Sequence, residues 1–195
     1  MTHIIPKQRE ELSELEPMLK MVEASMGFLP TSMLTMAHWP ELTQAFGGLG
    51  ATVLHSGELD AGLKQMIAFA VSNVAGCRYC QAHTANSAQK NSVSSEKIKA
   101  VFEFESSALF SDQEKAALRV AVHAGMVPNA VEAEHMSELS RYFSEKQVIE
   151  VVAVISLFGF LNRWNDTMAT TLESAPKNFA ANQLASHGWA AGKHE

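Results

Sequence analysis

The sequence is poor in several features, and each shortage narrows the range of proteins that it can encode. Charged residues make up only 18% of the 195 residues, and the formal net charge is −6 with no cluster of lysine and arginine. Because binding to nucleic acids and to anionic membranes depends on such clusters, we expect neither as a partner. The low charge, together with ten methionines and ten phenylalanines, indicates that part of an apolar surface is covered in a homo-oligomer.

The sequence also lacks the patterns of β-structure. Alternating runs of β-branched residues are missing, and Asn-Gly and Asp-Gly dipeptides do not occur. Residues 59–74 instead repeat apolar side chains with the period of a helix. Ser111 with Glu114 and Ser144 with Gln147 form capping boxes, which predict two further helix starts. The sequence therefore predicts an all-α bundle.

Long hydrophobic runs are missing as well. The N-terminal residues 1–12 show no basic segment followed by an apolar core, so we expect no signal peptide. The longest apolar stretch, residues 148–161, is too short to span a bilayer and carries Glu150, which predicts a buried helix and not a membrane span. A cytoplasmic location is the resulting expectation.

The length is that of one domain. We expect a helical extension over residues 1–55, a core over residues 56–173 and a partly ordered tail over residues 174–195. Near the end of the core, separate helices are expected at 145–161 and 163–173. The glycine-rich "FGGLG" (residues 46–50) does not complete a dinucleotide-binding motif and follows no strand, so it indicates close helix packing or a helix break.

Only two cysteines are present, and they lie together in "GCRYCQAHT" (residues 76–84). Haem attachment requires a histidine directly after the second cysteine, a position that Gln81 occupies. A structural zinc site requires four ligands, of which Cys77, Cys80 and His83 supply three. Two inert core cysteines at this spacing are improbable. A redox centre is the interpretation that we favour, and zinc stays as a minor alternative.

The spacing itself supports redox chemistry. If a helix begins at Cys77, unpaired backbone N–H groups and the helix dipole stabilise a thiolate there. The second thiol, on Cys80, is then close enough to form a disulfide. His83 lies about one turn beyond Cys80, where an imidazole can accept or return a thiol proton. The helix-terminus argument favours Cys77 as the more acidic thiol, whereas the adjacent histidine favours Cys80.

The stretches "LKQMIAFAVSNVAGCRYCQAHT" (residues 63–84) and "FLNRWNDTMATTLE" (residues 160–173) resemble the AhpD-like, carboxymuconolactone decarboxylase superfamily, in particular its peroxidase-related subgroup. The resemblance implies an all-helical oligomer, commonly a trimer or hexamer, and an alkylhydroperoxidase that cycles a cysteine pair between dithiol and disulfide. It implies that Cys80 attacks the peroxide and that Cys77 resolves the sulfenic acid. A hydroperoxide substrate and a thiol reductant are the implied partners, with no cofactor and no metal.

The resemblance also implies a role for Gln65. Members of the superfamily usually carry a glutamate of a proton relay twelve residues before the first cysteine, and here that position holds Gln65. An amide does not act as a base at neutral pH. The functional interpretation places Gln65 in a pocket beside the cysteines, and the alternative is a glutamine that faces solvent. Asp166 is a second candidate for the missing carboxylate.

Two other functions stay open at this stage. One is a decarboxylase or lactone-processing enzyme, although such enzymes generally lack the cysteine pair. The other is a non-catalytic helical module that binds zinc or another ligand.

Overall fold

The computed structural model describes residues 2–195, and within that range it is helical over most of its length and contains no β-strand. The predicted all-α fold is therefore confirmed. Short 3₁₀ turns connect some of the helices. The α-helices are α1 (Glu16–Met26), α2 (Thr31–Met36), α3 (Pro40–His55), α4 (Ala61–Val74), α5 (Arg78–Lys90), α6 (Ser95–Lys99), α7 (Asp112–Gly125), α8 (Ala133–Tyr142), α9 (Glu145–Met168) and α10 (Ser174–Gln183).

A hairpin of α4 and α5 forms the centre of the fold and positions the cysteines. The Asp60 side chain caps the start of α4 by accepting a hydrogen bond from the Leu63 N–H. Gly76 lies in the turn with a φ of +74°, a conformation that glycine adopts without steric cost. Cys77 follows as the N-cap of α5, so the turn fixes both the start of α5 and the position of the first thiol.

Three helices cover this hairpin. α7 and α9 pack against α4, and α10 packs against α5. Both predicted capping boxes are formed, at Ser111 for α7 and at Ser144 for α9. The resulting core encloses both cysteines together with the fully buried Ile67, Phe69 and Leu118.

The glycines of "FGGLG" lie inside α3, which continues through them without a break. A Cβ atom on Gly47 would collide with the Met18 side chain of α1. This glycine therefore leaves room for the Met18 side chain, which agrees with close packing and not with a helix break, the two alternatives expected for this motif.

The C-terminal quarter of the chain differs from expectation in two ways. α9 runs unbroken from Glu145 to Met168, whereas two helices with a break near residue 162 were expected. No proline or glycine interrupts residues 160–168, and α9 ends only at Ala169, which has a φ of +48°. The expected tail contains α10, and its Trp189 indole N–H donates a hydrogen bond to the Arg78 carbonyl.

The helix α9 is also longer than the apolar stretch at residues 148–161 that predicted it. With 24 residues and a mean hydropathy of 1.3, it meets the length and composition of a membrane span. Core helices of soluble proteins meet the same test. Here α9 contacts α3, α4, α5 and α7, and its Val151 and Val154 are fully buried.

Candidate active site

The two thiols lie together at the start of α5. The Cys77 sulfur accepts a hydrogen bond from the Cys80 backbone N–H at 3.4 Å, and the two thiols are 3.3 Å apart. Both cysteines are free and buried, with 0% and 2% of their surface exposed. The sulfurs are therefore close enough to form a disulfide after a small rotation of the side chains.

The surroundings shift the two thiol pKa values in opposite directions. The hydrogen bond from the Cys80 thiol lowers the pKa of Cys77 below its ordinary value, assisted by the backbone N–H groups at the start of α5 and opposed by burial. Burial raises the pKa of Cys80, and the neighbouring Cys77 raises it further. A hydrogen bond from the Asn165 amide to the Cys80 sulfur, at 3.5 Å, partly offsets this increase. Of the pair, Cys77 is the thiol that ionises first.

One turn further along α5, His83 belongs to a second group of side chains. Its Nε2 atom lies 2.6 Å from a Glu173 carboxylate oxygen, and the Tyr79 hydroxyl donates a hydrogen bond to the other oxygen at 2.8 Å. The Thr31 backbone N–H also donates to Glu173, and the rings of Tyr79 and His83 stack with centroids 4.2 Å apart. We call Tyr79, His83, Glu173 and Thr31 the Glu173 cluster.

The carboxylate of the Glu173 cluster is held ionised. Burial alone would raise the pKa of Glu173, but the charge and hydrogen bond of His83 and the Thr31 N–H outweigh it, so that the pKa lies below its ordinary value. Among residues 2–195, the His83 ring nitrogens make a hydrogen bond to Glu173 and none to either thiol. The expected proton exchange between His83 and Cys80 therefore has no direct contact in this structure and stays a prediction.

A different set of side chains surrounds the thiols. A carboxylate oxygen of Asp166, a ring nitrogen of His194 and the Cys77 sulfur all lie within 4.8 Å of one another. In the part of the chain that the structure describes, this is the one group of three such side chains close enough to share a metal ion. We call Cys77, Cys80, Asn165, Asp166 and His194 the thiol cluster. The zinc ligand set considered from the sequence, which included His83, is not brought together.

Gln65 is buried, with 8% of its surface exposed, so the alternative of a solvent-facing glutamine is wrong. It lies two turns before Ser72, the residue whose carbonyl accepts a hydrogen bond from Gln81 of α5. At 1.5 Å per residue, Gln65 is about 10 Å along α4 from that level. Within residues 2–195 its side chain makes no hydrogen bond to a cysteine or to His83, and its role stays a prediction.

A large open cavity adjoins the thiol cluster. Its volume is about 1320 Å³, and most of its lining is apolar, with contributions from α4, α7 and α9. Asp166 and Asn162 form part of the wall. The Asp166 carboxylate therefore borders the cavity and also lies within 4.8 Å of the Cys77 sulfur, although neither cysteine lines the cavity.

Three residues of the site were not predicted from the sequence. Glu173 ends the second stretch that carried the family resemblance, so its position was marked but its role was not. Asn165 lies in the same stretch. His194 is next to the last residue, in a segment expected to be partly ordered, and no sequence pattern links it to the cysteines.

Comparisons with known proteins bear on the family and the fold of this chain. The sequence model of the carboxymuconolactone decarboxylase family matches residues 40–123, which include both cysteines. The uncharacterized protein YnjA of Escherichia coli K12 is 28% identical over 110 residues, which cover 56% of this chain and 60% of YnjA. The matched region thus spans less than two thirds of that relative.

Solved structures match over nearly the whole chain. The debrominase Bmp8, in its apo form, is 39% identical and has a TM-score of 0.87, with 93% of this chain and 97% of Bmp8 covered. A cysteine-to-alanine variant of Bmp8 in complex with 2,3,4-tribromopyrrole gives the same TM-score at 38% identity.

A peroxidase-related protein with an AhpD core from Ralstonia eutropha JMP134 is 21% identical, with a TM-score of 0.74 over 89% of this chain and 95% of that protein. At this identity the likeness concerns the fold alone. The family match, the shared fold and the identity with Bmp8 lead to one assignment: this chain belongs to the AhpD-like, carboxymuconolactone decarboxylase superfamily.

Proposed function

We propose that this protein is a two-electron reductase that uses Cys77 and Cys80 as a dithiol and converts them to a disulfide in each turnover. The observation that carries the proposal is the pair itself, two free thiols 3.3 Å apart whose pKa values are shifted in opposite directions. One thiol is thereby prepared to attack as a thiolate. The other is kept protonated until an intermediate forms on its neighbour.

With a hydroperoxide as substrate, the Cys77 thiolate attacks the terminal oxygen and the O–O bond breaks. The departing alkoxide takes up a proton and leaves as an alcohol, while Cys77 becomes a sulfenic acid. Cys80 then attacks the Cys77 sulfur, and water leaves as the disulfide forms. The substrate gains the two electrons that the thiols lose, and an external thiol reductant restores the dithiol.

This scheme exchanges the cysteine roles that the family resemblance implied. The adjacent histidine was the reason for choosing Cys80 as the attacking thiol. In the structure His83 is paired with Glu173, and burial raises the pKa of Cys80. The helix-terminus argument for Cys77 is therefore the better supported of the two, and the variants described in the Discussion separate them.

A brominated aromatic compound is the second candidate substrate. The supporting observation is the 39% identity over 93% of this chain with a debrominase. In such a reaction the aromatic C–Br bond is replaced by C–H, bromide is released, and the two thiols again become a disulfide. The apolar lining of the cavity beside Asp166 is suited to an aromatic ring.

A single-turnover experiment tests the function and ranks the substrates. Fully reduced protein is mixed with one equivalent of hydrogen peroxide, an organic hydroperoxide or 2,3,4-tribromopyrrole, and both thiol loss and product are measured. We expect two thiols to be lost for each hydrogen peroxide molecule consumed, each alcohol formed or each bromide released, and none in the Cys77→Ser variant. Thiols that stay reduced with every substrate would overturn the proposal.

We also propose that the chain assembles into a homo-oligomer, with a trimer or hexamer as the form implied by the family. Large apolar side chains are exposed on the isolated chain, among them Val127 at 84% and Ile149 at 67%. Contact between copies would remove such surface from water. Light scattering at micromolar concentration checks this, and the mass of a single chain would contradict it.

A further inference from the structure

His194 is held in an unusual position for a residue next to the end of a chain. Only 1% of its surface is exposed, although its two neighbours in sequence are exposed. Its Nδ1 atom lies 2.8 Å from the Thr170 carbonyl, and its own carbonyl accepts a hydrogen bond from the Leu172 N–H. Two contacts to the segment after α9 therefore fix both the backbone and the ring.

The hydrogen bond to Thr170 also determines the tautomer. A carbonyl oxygen accepts but does not donate, so Nδ1 carries the proton and Nε2 presents a lone pair. Nε2 is buried and has no hydrogen-bond partner within residues 2–195. Leaving such an acceptor unpaired in the interior costs free energy, so it indicates a missing partner.

Two further donor atoms face the same point. Asp166 Oδ1 is 3.6 Å from His194 Nε2, and the Cys77 sulfur lies within 4.8 Å of both groups. The other Asp166 oxygen is 2.8 Å from the Lys193 ammonium group, which leaves Oδ1 directed toward the cluster. A thiolate, an imidazole and a carboxylate are the three ligand types that Zn²⁺ uses in proteins.

We propose that the reduced protein binds one Zn²⁺ ion through Cys77, Asp166 and His194. The Thr170 carbonyl is the outer partner that orients a metal-binding histidine, as is usual for such ligands. Three protein ligands leave a fourth position for water or another ligand, and one of the three, Asp166, borders the cavity. The zinc alternative considered from the sequence shares only Cys77 with this site, because the other two ligands are far from it along the chain and none lies at zinc-finger spacing.

Binding has a defined chemical consequence. The Cys77 thiol gives up its proton and becomes a metal-bound thiolate, whose lone pair is shared with the metal and is less available to attack a substrate. Zinc would therefore inhibit the dithiol reversibly and protect it from oxidation. The inhibition rests on the proposed function, whereas the binding itself requires no turnover.

Zinc titration of fully reduced protein against a chromogenic chelator tests the binding. We expect one zinc ion per chain, and His194→Gln and Asp166→Asn variants should bind at least about tenfold more weakly, because even an outer-shell partner is worth about 10- to 100-fold. His187→Gln is the matched control, since this exposed histidine of the same C-terminal segment stacks on Phe102 and lies outside the thiol cluster. Its affinity should equal that of the unmodified chain.

Co²⁺ used in place of Zn²⁺ shows whether a thiolate is a ligand, because Co²⁺–thiolate bonds give an intense near-ultraviolet absorption band. We expect this band in the unmodified chain and in Cys80→Ser, and its loss in Cys77→Ser. Circular dichroism checks that each variant keeps its helices. No binding by the unmodified chain, unchanged binding in folded His194→Gln, or the absence of the band would overturn the proposal.

The two proposals fail in different ways. If the pair is not redox-active, peroxide and bromopyrrole leave the thiols reduced, yet zinc still binds. If the zinc site is wrong, the thiols still form a disulfide on substrate addition, and zinc neither binds nor slows that reaction.

Discussion

The Glu173 cluster and the thiol cluster meet at the start of α5, where His83 lies one turn beyond Cys80, and they differ in how their polar groups are paired. In the Glu173 cluster, both carboxylate oxygens, the Tyr79 hydroxyl and His83 Nε2 all take part in hydrogen bonds. In the thiol cluster, Asn165 Oδ1 and His194 Nε2 are buried and have no partner within residues 2–195. Thr170 Oγ1, beside His194, is unpaired as well.

This difference in pairing indicates that the two clusters have different roles. A buried polar network whose members are all paired is rigid, and it stabilises one arrangement of α5 and α10. Unpaired buried groups are rare in native proteins and are typically found where a substrate or ion completes the set. We therefore expect the Glu173 cluster to act mainly on stability and the thiol cluster mainly on chemistry.

The largest effect is expected from replacing the cysteines. Cys77→Ser should lower turnover by at least about 10³-fold, the scale of losing a nucleophile. Cys80→Ser should retain the first step and accumulate a sulfenic acid on Cys77 after peroxide addition. A trapping reagent followed by mass spectrometry distinguishes these states. A sulfenic acid on Cys80 in the Cys77→Ser variant would instead restore the roles implied by the family.

A large effect on stability is expected in the Glu173 cluster. Glu173→Gln keeps the shape of the side chain but removes the charge that pairs with His83, and it should lower the free energy of unfolding by about 1–3 kcal/mol. Chemical denaturation measures this change. Glu10→Gln is the control, because this exposed residue makes no ion pair within residues 2–195, and it should change stability by less than about 0.5 kcal/mol.

We also expect the loss of stability in Glu173→Gln to depend on pH. The pKa of Glu173 is below its ordinary value of 4.5 in the folded chain, so its contribution is present above about that pH and is lost as the pH falls through the folded pKa. The stability difference between the unmodified chain and Glu173→Gln should therefore narrow below pH 4.5. A difference that stays constant down to acidic unfolding would show that the charge on Glu173 does not stabilise the fold.

A smaller effect is expected from Asp166, whose negative charge raises the pKa of Cys77. Removing that charge in Asp166→Asn should increase the Cys77 thiolate fraction at neutral pH by about fivefold. This factor corresponds to about 1 kcal/mol, the interaction energy of two charges a few ångströms apart in water. The pH dependence of Cys77 alkylation measures it, and the midpoint should move downward. Asp112→Asn, on the exposed start of α7, should leave the midpoint unchanged.

The smallest effect is expected from Gln65. A carboxylate in Gln65→Glu could accept protons for the thiols through water or His83, and the rate should rise only a few-fold, with a larger gain at higher pH because burial raises the pKa of the new carboxyl group. Stopped-flow measurement of thiol oxidation checks this. An unchanged rate in a folded variant would remove Gln65 from the list of functional residues.

Local sequence patterns predicted the parts of the structure that depend on neighbouring residues. The capping boxes at Ser111 and Ser144 and the helix start at Cys77 are of this kind, because each depends on side chains only three residues apart. The same reasoning failed at residue 162, where an uninterrupted helix was divided in two. Nothing in the local pattern marked α10, which is held by packing against α5.

In the site, too, the features predicted from the sequence are mainly those that depend on neighbouring residues. The cysteine pair has a recognisable spacing, whereas the partner of His83 is Glu173 and the partner of Cys77 is Asp166, each brought close only by the packing of α9 and α10. Such pairings depend on tertiary structure, and the sequence marked only Asp166, as a candidate carboxylate, without indicating which thiol it approaches. His194 is the extreme case, since the segment that contains it was expected to be partly ordered.

Mass spectrometry of the unmodified chain shows whether Cys77 and Cys80 act as one redox unit. Reduced protein is treated with one equivalent of hydroperoxide, alkylated and digested, and the peptide that contains both cysteines is analysed. We expect an unalkylated peptide that is lighter by two hydrogen atoms and returns to the dithiol form after reduction. Two alkylated cysteines in a chain that is still folded would contradict it.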